Sequence, residues 1–207
     1  MTMEKQNKKM RNRTKRCLII YTSYSGNTER VANTIREVFL KNGWTCDCFN
    51  IKQGFDVENP PFDFEDYDFL CVGSLVIWGL PPDEILDVMR TVSRKSGWVA
   101  YGKVVPGPKR GLAFVTYAGA HLGPKEANPA LKLLELEMEH LKFKCVGLLS
   151  APGKYIRAAP HHTPTWYHGD HMVRPNEEDI NRIAKAAQNV LDSSGESAFP
   201  LESHADK

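Results

Sequence analysis

CLIIYTSYSGNTERVANTI, residues Cys17 to Ile35, runs from an apolar stretch through seven mostly small or polar residues into a segment with helical spacing. Leu18 to Tyr21 is nearly all apolar, as a strand covered on both faces must be. From about Asn27 to Lys41, the residues Val31, Ile35, Val38 and Phe39 recur at i, i+4, i+7 and i+8 and so share one stripe of a helix, which Gly43 ends. A loop that leaves the carboxyl end of a central strand and enters a helix suits an anion, because first-turn amides point outward and the helix dipole favours negative charge. Thr22, Ser23, Ser25 and Thr28 add neutral hydroxyl donors, and Gly26 lets the backbone come close. The loop therefore reads as a phosphate cradle. The competing reading is a cluster of capping residues on an ordinary strand-to-helix turn.

No Lys or Arg lies in this loop. The P-loop pattern G-x-x-x-x-G-K-[ST] and the dinucleotide fingerprint G-x-G-x-x-G are both missing. A hydroxyl cradle holds a phosphomonoester without neutralising it.

Outward from this unit, apolar runs alternate with helical patterns, the signature of a parallel sheet covered on both faces. Strands are expected at about Thr45 to Ile51, Phe69 to Gly73, Leu112 to Thr116 and Cys145 to Leu149. A helix should begin at Pro82, with Asp83 and Glu84 at its positive end and Ile85, Val88, Met89 and Val92 on one face. Another should run from about Pro124 to Leu141 with Leu131, Leu134, Met138 and Leu141 inward. The last spans Glu177 to about Leu191, capped by Asn176, with Ile180, Ile183, Ala184, Ala187 and Leu191 apolar. This amounts to five strand-helix units, the second helix too weakly patterned to place in the stretch around NPPFDFEDYD. A loop holding Gly102, Pro106, Gly107 and Pro108 precedes the fourth strand.

The 207 residues suit one domain, 17–193, between a basic tail, 1–16, and a Ser-, Gly- and charge-rich end, 194–207. The tail carries seven Lys and Arg against Glu4, so the net charge of +2 conceals an acidic remainder. Such a tail cannot fold alone. It reads either as a tether for nucleic acid or an acidic partner or, by preference, as a solubilising or misassigned start, so no nucleic-acid partner is expected. Neither a signal-peptide pattern nor a run of 18 or more apolar residues occurs. A soluble, cytoplasmic protein without membrane insertion is expected. The five cysteines, Cys17, Cys46, Cys48, Cys71 and Cys145, include no C-x-x-C pair and read as buried free thiols, against an iron–sulfur centre.

The loop Ser23-Tyr24-Ser25-Gly26-Asn27-Thr28, with Thr22 before it and Glu29 after it, resembles the phosphate-binding loop of flavodoxins. YDFLCVGSLVIWGLPP, Tyr67 to Pro82, is similar to the third strand and second flavin loop of that family, and FVTYAGAHLGPKEA, Phe114 to Ala127, to the fourth strand and third loop. The resemblance covers about Cys17 to Leu191. It implies a doubly wound α/β fold with a five-stranded parallel sheet in the order 2-1-3-4-5, and FMN as cofactor. The phosphate would sit in the first loop. Ser74, Leu75, Val76, Ile77, Trp78 and Gly79 would form the second loop, with Trp78 packing on the isoalloxazine, where a large flat ring stacks and excludes water. Thr116, Tyr117, Ala118 and Gly119 would reach the pyrimidine edge, and His121 and Gly123 would complete the cofactor-binding residues of the third loop.

Departures from the family pattern carry their own expectations. Ala118 stands where many relatives have Gly, and Leu75 and Ile77 where Pro and Tyr are common; the third loop offers His121 and Leu122 in place of a stacking Tyr. The folded part is only mildly acidic, so a reduced, anionic flavin should be repelled less than in the strongly acidic carriers.

HHTPTWYHGDHMVRP, His161 to Pro175, lies in a long connection, 151–175. His161, His162, His168, Asp170 and His171 include an H-x-x-H pair that could ligate a metal. The segment lacks the periodicity to fix them on one face, and a loop or lid is the preferred reading, with Trp166 and Tyr167 as cover or partner contacts. Gly169, Pro175, Asn176, Glu177 and Asp179 resemble the entry to the last helix in flavodoxin-type domains of anaerobic ferredoxin-flavodoxin fusion proteins.

Three functions are compatible with this reading. The first is an FMN carrier passing electrons between redox partners, ferredoxin-like proteins or reductases, with no catalytic side chain. The others are an FMN-dependent NAD(P)H:quinone or small-acceptor reductase, and a flavodoxin-shaped binding module without flavin.

Overall fold

The computed structural model describes residues 13–96, 109–118, 123–154 and 173–193. Most of the basic tail, the 102–108 loop, Gly119, His121 and Leu122, the histidine-rich connection from His161 to His171 and the end from 194 onward lie outside the described residues.

Five strands, β1 (Arg16–Tyr21), β2 (Thr45–Asn50), β3 (Phe69–Leu75), β4 (Lys109–Tyr117) and β5 (Phe143–Pro152), pair in parallel in the order β2-β1-β3-β4-β5. The chain leaves β1 toward both sides of the sheet, so a crevice opens at the carboxyl ends of β1 and β3, where the strand order reverses. β1 starts two residues before the apolar run. Thr45 N–H donates to the Lys15 carbonyl at 2.9 Å and Asp68 N–H to the Arg16 carbonyl at 2.9 Å, so the flanking strands extend it.

Four α-helices flank the sheet among the described residues: α1 (Asn27–Lys41), α2 (Asp83–Lys95), α3 (Asn128–His140) and α4 (Glu177–Asp192). α1 and α4 cover one face, packing Val31, Ile35, Phe39, Ile183, Ala187 and Val190 on Ile19, Cys71, Leu112 and Phe114. α2 and α3 cover the other, with Ile85, Val88, Met89, Leu134 and Met138 on Leu18, Ile20, Leu70, Val72, Ala113 and Val115. Each fully buried Leu, Ile or Phe contributes about 1.5–3 kcal/mol of transfer free energy, so these two layers hold the fold.

Two expectations need correction. No helix joins β2 to β3. Pro60 and Pro61 lack the amide hydrogens a helix needs, and the connection makes only a 3-10 turn, Phe64–Asp66, whose Glu65 N–H is taken by the Asp63 carboxylate at 2.9 Å. Its aromatic residues replace the helix: Phe62 and Phe64 are buried, with ring centroids 5.4 Å apart, and Phe62 lies 5.0 Å from Phe49. The expected helix from Pro124 is also divided, into a 3-10 turn, Gly123–Glu126, and α3. Pro129 explains the break, since its ring fits only the first turn of a helix and so fixes the start at Asn128.

Candidate functional site

The first loop is held from four directions, by the ends of β2, β3, β4 and β5. Asn50, at the end of β2, accepts from Ser23 N–H at 3.2 Å through Oδ1, and its Nδ2 donates to the Ser23 carbonyl at 3.4 Å. Thr22 N–H donates to the Gly73 carbonyl at 3.0 Å, fixing the loop to β3. Thr28 and Thr116, both buried, share a hydroxyl hydrogen bond of 2.8 Å that ties the loop to β4. From β5, the Lys154 carbonyl accepts from Asn27 Nδ2 at 2.9 Å. Gly153 makes room for this contact: a Cβ there would stand 2.9 Å from Asn27 Nδ2.

Held in this way, the start of α1 is left open. Its N-cap residue is Gly26, at φ 86°, which has no side chain to cap with. Ser23 Oγ accepts from Gly26 N–H at 3.1 Å and from Glu29 N–H at 3.3 Å. The amides of Ser25, Asn27 and Thr28 have no acceptor among the described residues. Thr22 Oγ1 is buried and has no hydrogen-bond partner among the described residues. A buried hydroxyl without a partner costs roughly 1–3 kcal/mol, so these groups suit an added acceptor such as a phosphate oxygen. Ser23 therefore caps two of the amides, as a self-capping turn would, and leaves the other three open among the described residues.

The second loop turns sharply after β3. Ile77 and Leu80 exchange both backbone hydrogen bonds, 2.8 and 3.0 Å, across a two-residue turn whose central residues, Trp78 and Gly79, have φ of 52° and 81°. Two successive positive φ values make this a primed hairpin turn, a position that Asn or Gly fills without strain. Trp78 is a bulky residue in left-handed backbone, at a cost of roughly 1–3 kcal/mol. It is also 95% exposed. Packing in the core does not account for it. Ile77 and Leu80 are exposed beside it, as is Tyr24 of the first loop.

Tyr24 links the two loops, donating from its hydroxyl to Glu84 Oε1, in the first turn of α2, at 2.9 Å. Partial burial and this hydrogen bond push the phenol up to about 12, so it stays a donor at neutral pH. Ser74 is buried and its hydroxyl donates to the Leu75 carbonyl at 2.7 Å. Val76 N–H donates to the Thr116 carbonyl at 2.9 Å, joining the second and third loops.

In the third loop, backbone groups expected to face a ligand are partly committed. The Thr116 carbonyl serves Val76, and the Tyr117 carbonyl accepts from Gly153 N–H at 2.7 Å. The Tyr117 side chain is buried, which raises its pKa. Ala118 is half-buried, and Gly123 follows at φ 58°. Thus Thr22 to Thr28 and Ser74 to Gly79 meet at the crevice, with Thr116 between them. Asn50, Gly153 and Lys154 went unread in the sequence and Glu84 was read only as a first-turn helix residue; the strand order brings them here.

A flavodoxin domain model matches residues 18–101, which contain the first two loops and β1 to β3. Over that segment the chain is similar to flavodoxin domains. No curated protein sequence matches it. A flavodoxin from the domain Archaea is 15% identical, with a TM-score of 0.54 over 84% of this chain and 95% of that one. Flavodoxin 2 from Bacillus cereus is 19% identical, with a TM-score of 0.53 over 85% and 97%. The rubredoxin oxygen:oxidoreductase of Desulfovibrio gigas is 15% identical, with a TM-score of 0.54 over 90% of this chain but only 38% of its own length. The flavodoxin-like order of the sheet therefore extends beyond the matched segment, through β4 and β5. No helix among the described residues is long and apolar enough to cross a membrane.

Proposed function

We propose that this flavodoxin-type chain binds FMN and carries electrons between redox proteins in the cytoplasm. Trp78 is the observation that carries the reading. A fold gains nothing by holding a Trp almost fully exposed in a left-handed turn, whereas a flat ring ligand would cover it.

The residues fit the cofactor. Thr22 Oγ1 and the free amides of Ser25, Asn27 and Thr28 would hold the phosphate, and Trp78 would cover one face of the ring system. When bound, FMN supplies the one- and two-electron chemistry. The chain's own part is to position it, keep water from one face and fix the charge around it. FMN is preferred to FAD because the loop suits one terminal phosphate and no second nucleotide-binding segment reads from the sequence.

An absorbance and fluorescence titration of the purified chain with FMN tests this. Flavin bands taken up at one equivalent, with quenched flavin emission, are expected, and dithionite reduction should then be reversible through a protein partner. Uptake of FMN with steady oxidation of NAD(P)H by the chain alone would replace the carrier by a reductase. A chain that takes up no FMN overturns the proposal.

A further inference from the structure

Four of the five thiols lie on the face of the sheet that α1 and α4 cover: Cys17 on β1, Cys46 and Cys48 on β2, and Cys71 on β3. All are free. They sit at the opposite end of β1 from the phosphate loop, or part-way along it, and take no part in the site described above.

Register separates these thiols. Cys17 and Cys46 are direct partners across β1 and β2. Adjacent strands lie about 4.8 Å apart, which falls within the roughly 4.4–6.8 Å between Cα atoms that a disulfide spans. Cys71 fails this test although its sulfur is 3.8 Å from that of Cys17. Cys17 pairs with Phe69, so Cys71 stands two residues further along β3, on a diagonal of about 8 Å that a disulfide cannot close without backbone movement. Cys48 is in register with Ile19 and two residues along β2 from Cys46, at a spacing of about 6.7 Å with parallel Cβ directions. Cys17 and Cys46, directly opposite on neighbouring strands, therefore have the nearest Cα atoms by register.

The same pair has the chemistry. β2 is an edge strand and Cys46 is half-buried, whereas Cys17 behind it is fully buried. A hydrogen bond from Cys17 lowers the Cys46 pKa, and the Arg36 guanidinium on α1 acts in the same direction. Burial pushes Cys48 up to about 12 and Cys145 up to about 11, and raises Cys17 as well. The thiolate is the form that reacts with oxidants.

We propose that Cys46 and Cys17 form a peroxide-sensitive pair, with Cys46 the attacking thiol and Cys17 the resolving one. The Cys46 thiolate attacks one oxygen of hydrogen peroxide. The O–O bond breaks, the departing hydroxide takes up the thiol proton as water, and Cys46 becomes a sulfenic acid. The Cys17 sulfur then attacks the Cys46 sulfur, the S–O bond breaks, and the hydroxide leaves as water with the Cys17 proton. Two thiols are oxidised by two electrons and one peroxide is reduced to two waters.

The folded full-length chain is exposed to hydrogen peroxide, remaining thiols are alkylated, and an unreduced tryptic digest is mapped by mass spectrometry. The expected product links the peptide that begins at Cys17 to the peptide 42–52, with fragmentation placing the bond on Cys46. Cys71 and Cys145 should be alkylated, and dithiothreitol added before the alkylation step should restore all five thiols. In the C48S chain the same link should form. In C17S the link should vanish and Cys46 should react with a sulfenic-acid trap such as dimedone. No linked peptide in the wild-type chain, or a bond through Cys48 or Cys71, overturns the proposal; the wild-type map needs no variant to fold.

Discussion

The two ends of the sheet are finished in opposite ways. At the amino end, charged side chains and aromatic rings close the molecule. Arg110 donates to the Ser193 hydroxyl at 2.8 Å and to the Val190 carbonyl at the end of α4, and Lys109 Nζ donates to the Glu65 carbonyl at 2.8 Å. Phe39, Trp44 and Phe69 stack edge to face at 4.9–6.0 Å. At the carboxyl end, a buried hydroxyl and three amides have no partner among the described residues, and a Trp stands exposed in strained backbone. The difference teaches that packing and ion pairs dominate one end, while the other leaves a strained, exposed ring and open amides where the proposed cofactor would sit.

The strongest way to break this comparison is at the closed end. Phe39 is fully buried between Trp44 and Phe69, so Phe39→Ala should cost about 3–5 kcal/mol through lost transfer energy and the cavity left behind. Urea unfolding would show it as a lowered midpoint. FMN affinity of the folded fraction should stay within about threefold, since the crevice lies at the far end of β1. A large loss of affinity at wild-type stability would mean that the two ends are not separable.

The converse change is Trp78→Asn. Asn adopts left-handed backbone readily, so the apo chain should gain about 1 kcal/mol in urea unfolding while FMN affinity falls about tenfold or more. Stability and binding then move in opposite directions at one residue. If the variant is instead destabilised with binding unchanged, Trp78 is a structural residue and the functional reading of the turn fails.

How much of this was legible beforehand follows the range of the interactions. The bounds of α1 are those expected from its apolar stripe, because Val31, Ile35 and Phe39 and the Gly26 and Gly43 breaks are local signals. The parallel sheet followed from the alternation, and its order from the family resemblance of the three loops. The crossover after β2 was not legible, because Phe62 and Phe64 cover the sheet without any helical period. Nor were the pins of the first loop. Asn50 ends a strand 27 residues away and Lys154 follows β5, 127 residues away, so neither leaves a mark on the loop's own sequence. Trp78 was readable as a ring-stacking candidate, yet its left-handed backbone was not, since sequence rules reserve that position for Gly and Asn.

The smallest expected effect tests whether the closed end is held by charge as well as by packing. Asp47, on β2, accepts from the Tyr67 hydroxyl at 2.8 Å and from Arg16 Nη2 at 3.0 Å, and these hold its carboxyl below the ordinary value of 3.8, the Tyr67 bond contributing most. A depressed carboxylate contributes stability that is present above its unfolded pKa and is lost as pH falls through the folded value. The side chain is about half exposed, so solvent screening limits the contribution to a few tenths of a kcal/mol. Asp47→Asn keeps an acceptor for Tyr67 but removes the charge facing Arg16. The variant should therefore be slightly less stable than wild type at neutral pH, and the gap should close as pH falls from about 5 to about 2. Urea midpoints measured across that window would show it. A gap that stays constant or widens on acidification would place the loss in side-chain packing, leaving the amino end closed by its aromatic and backbone contacts alone.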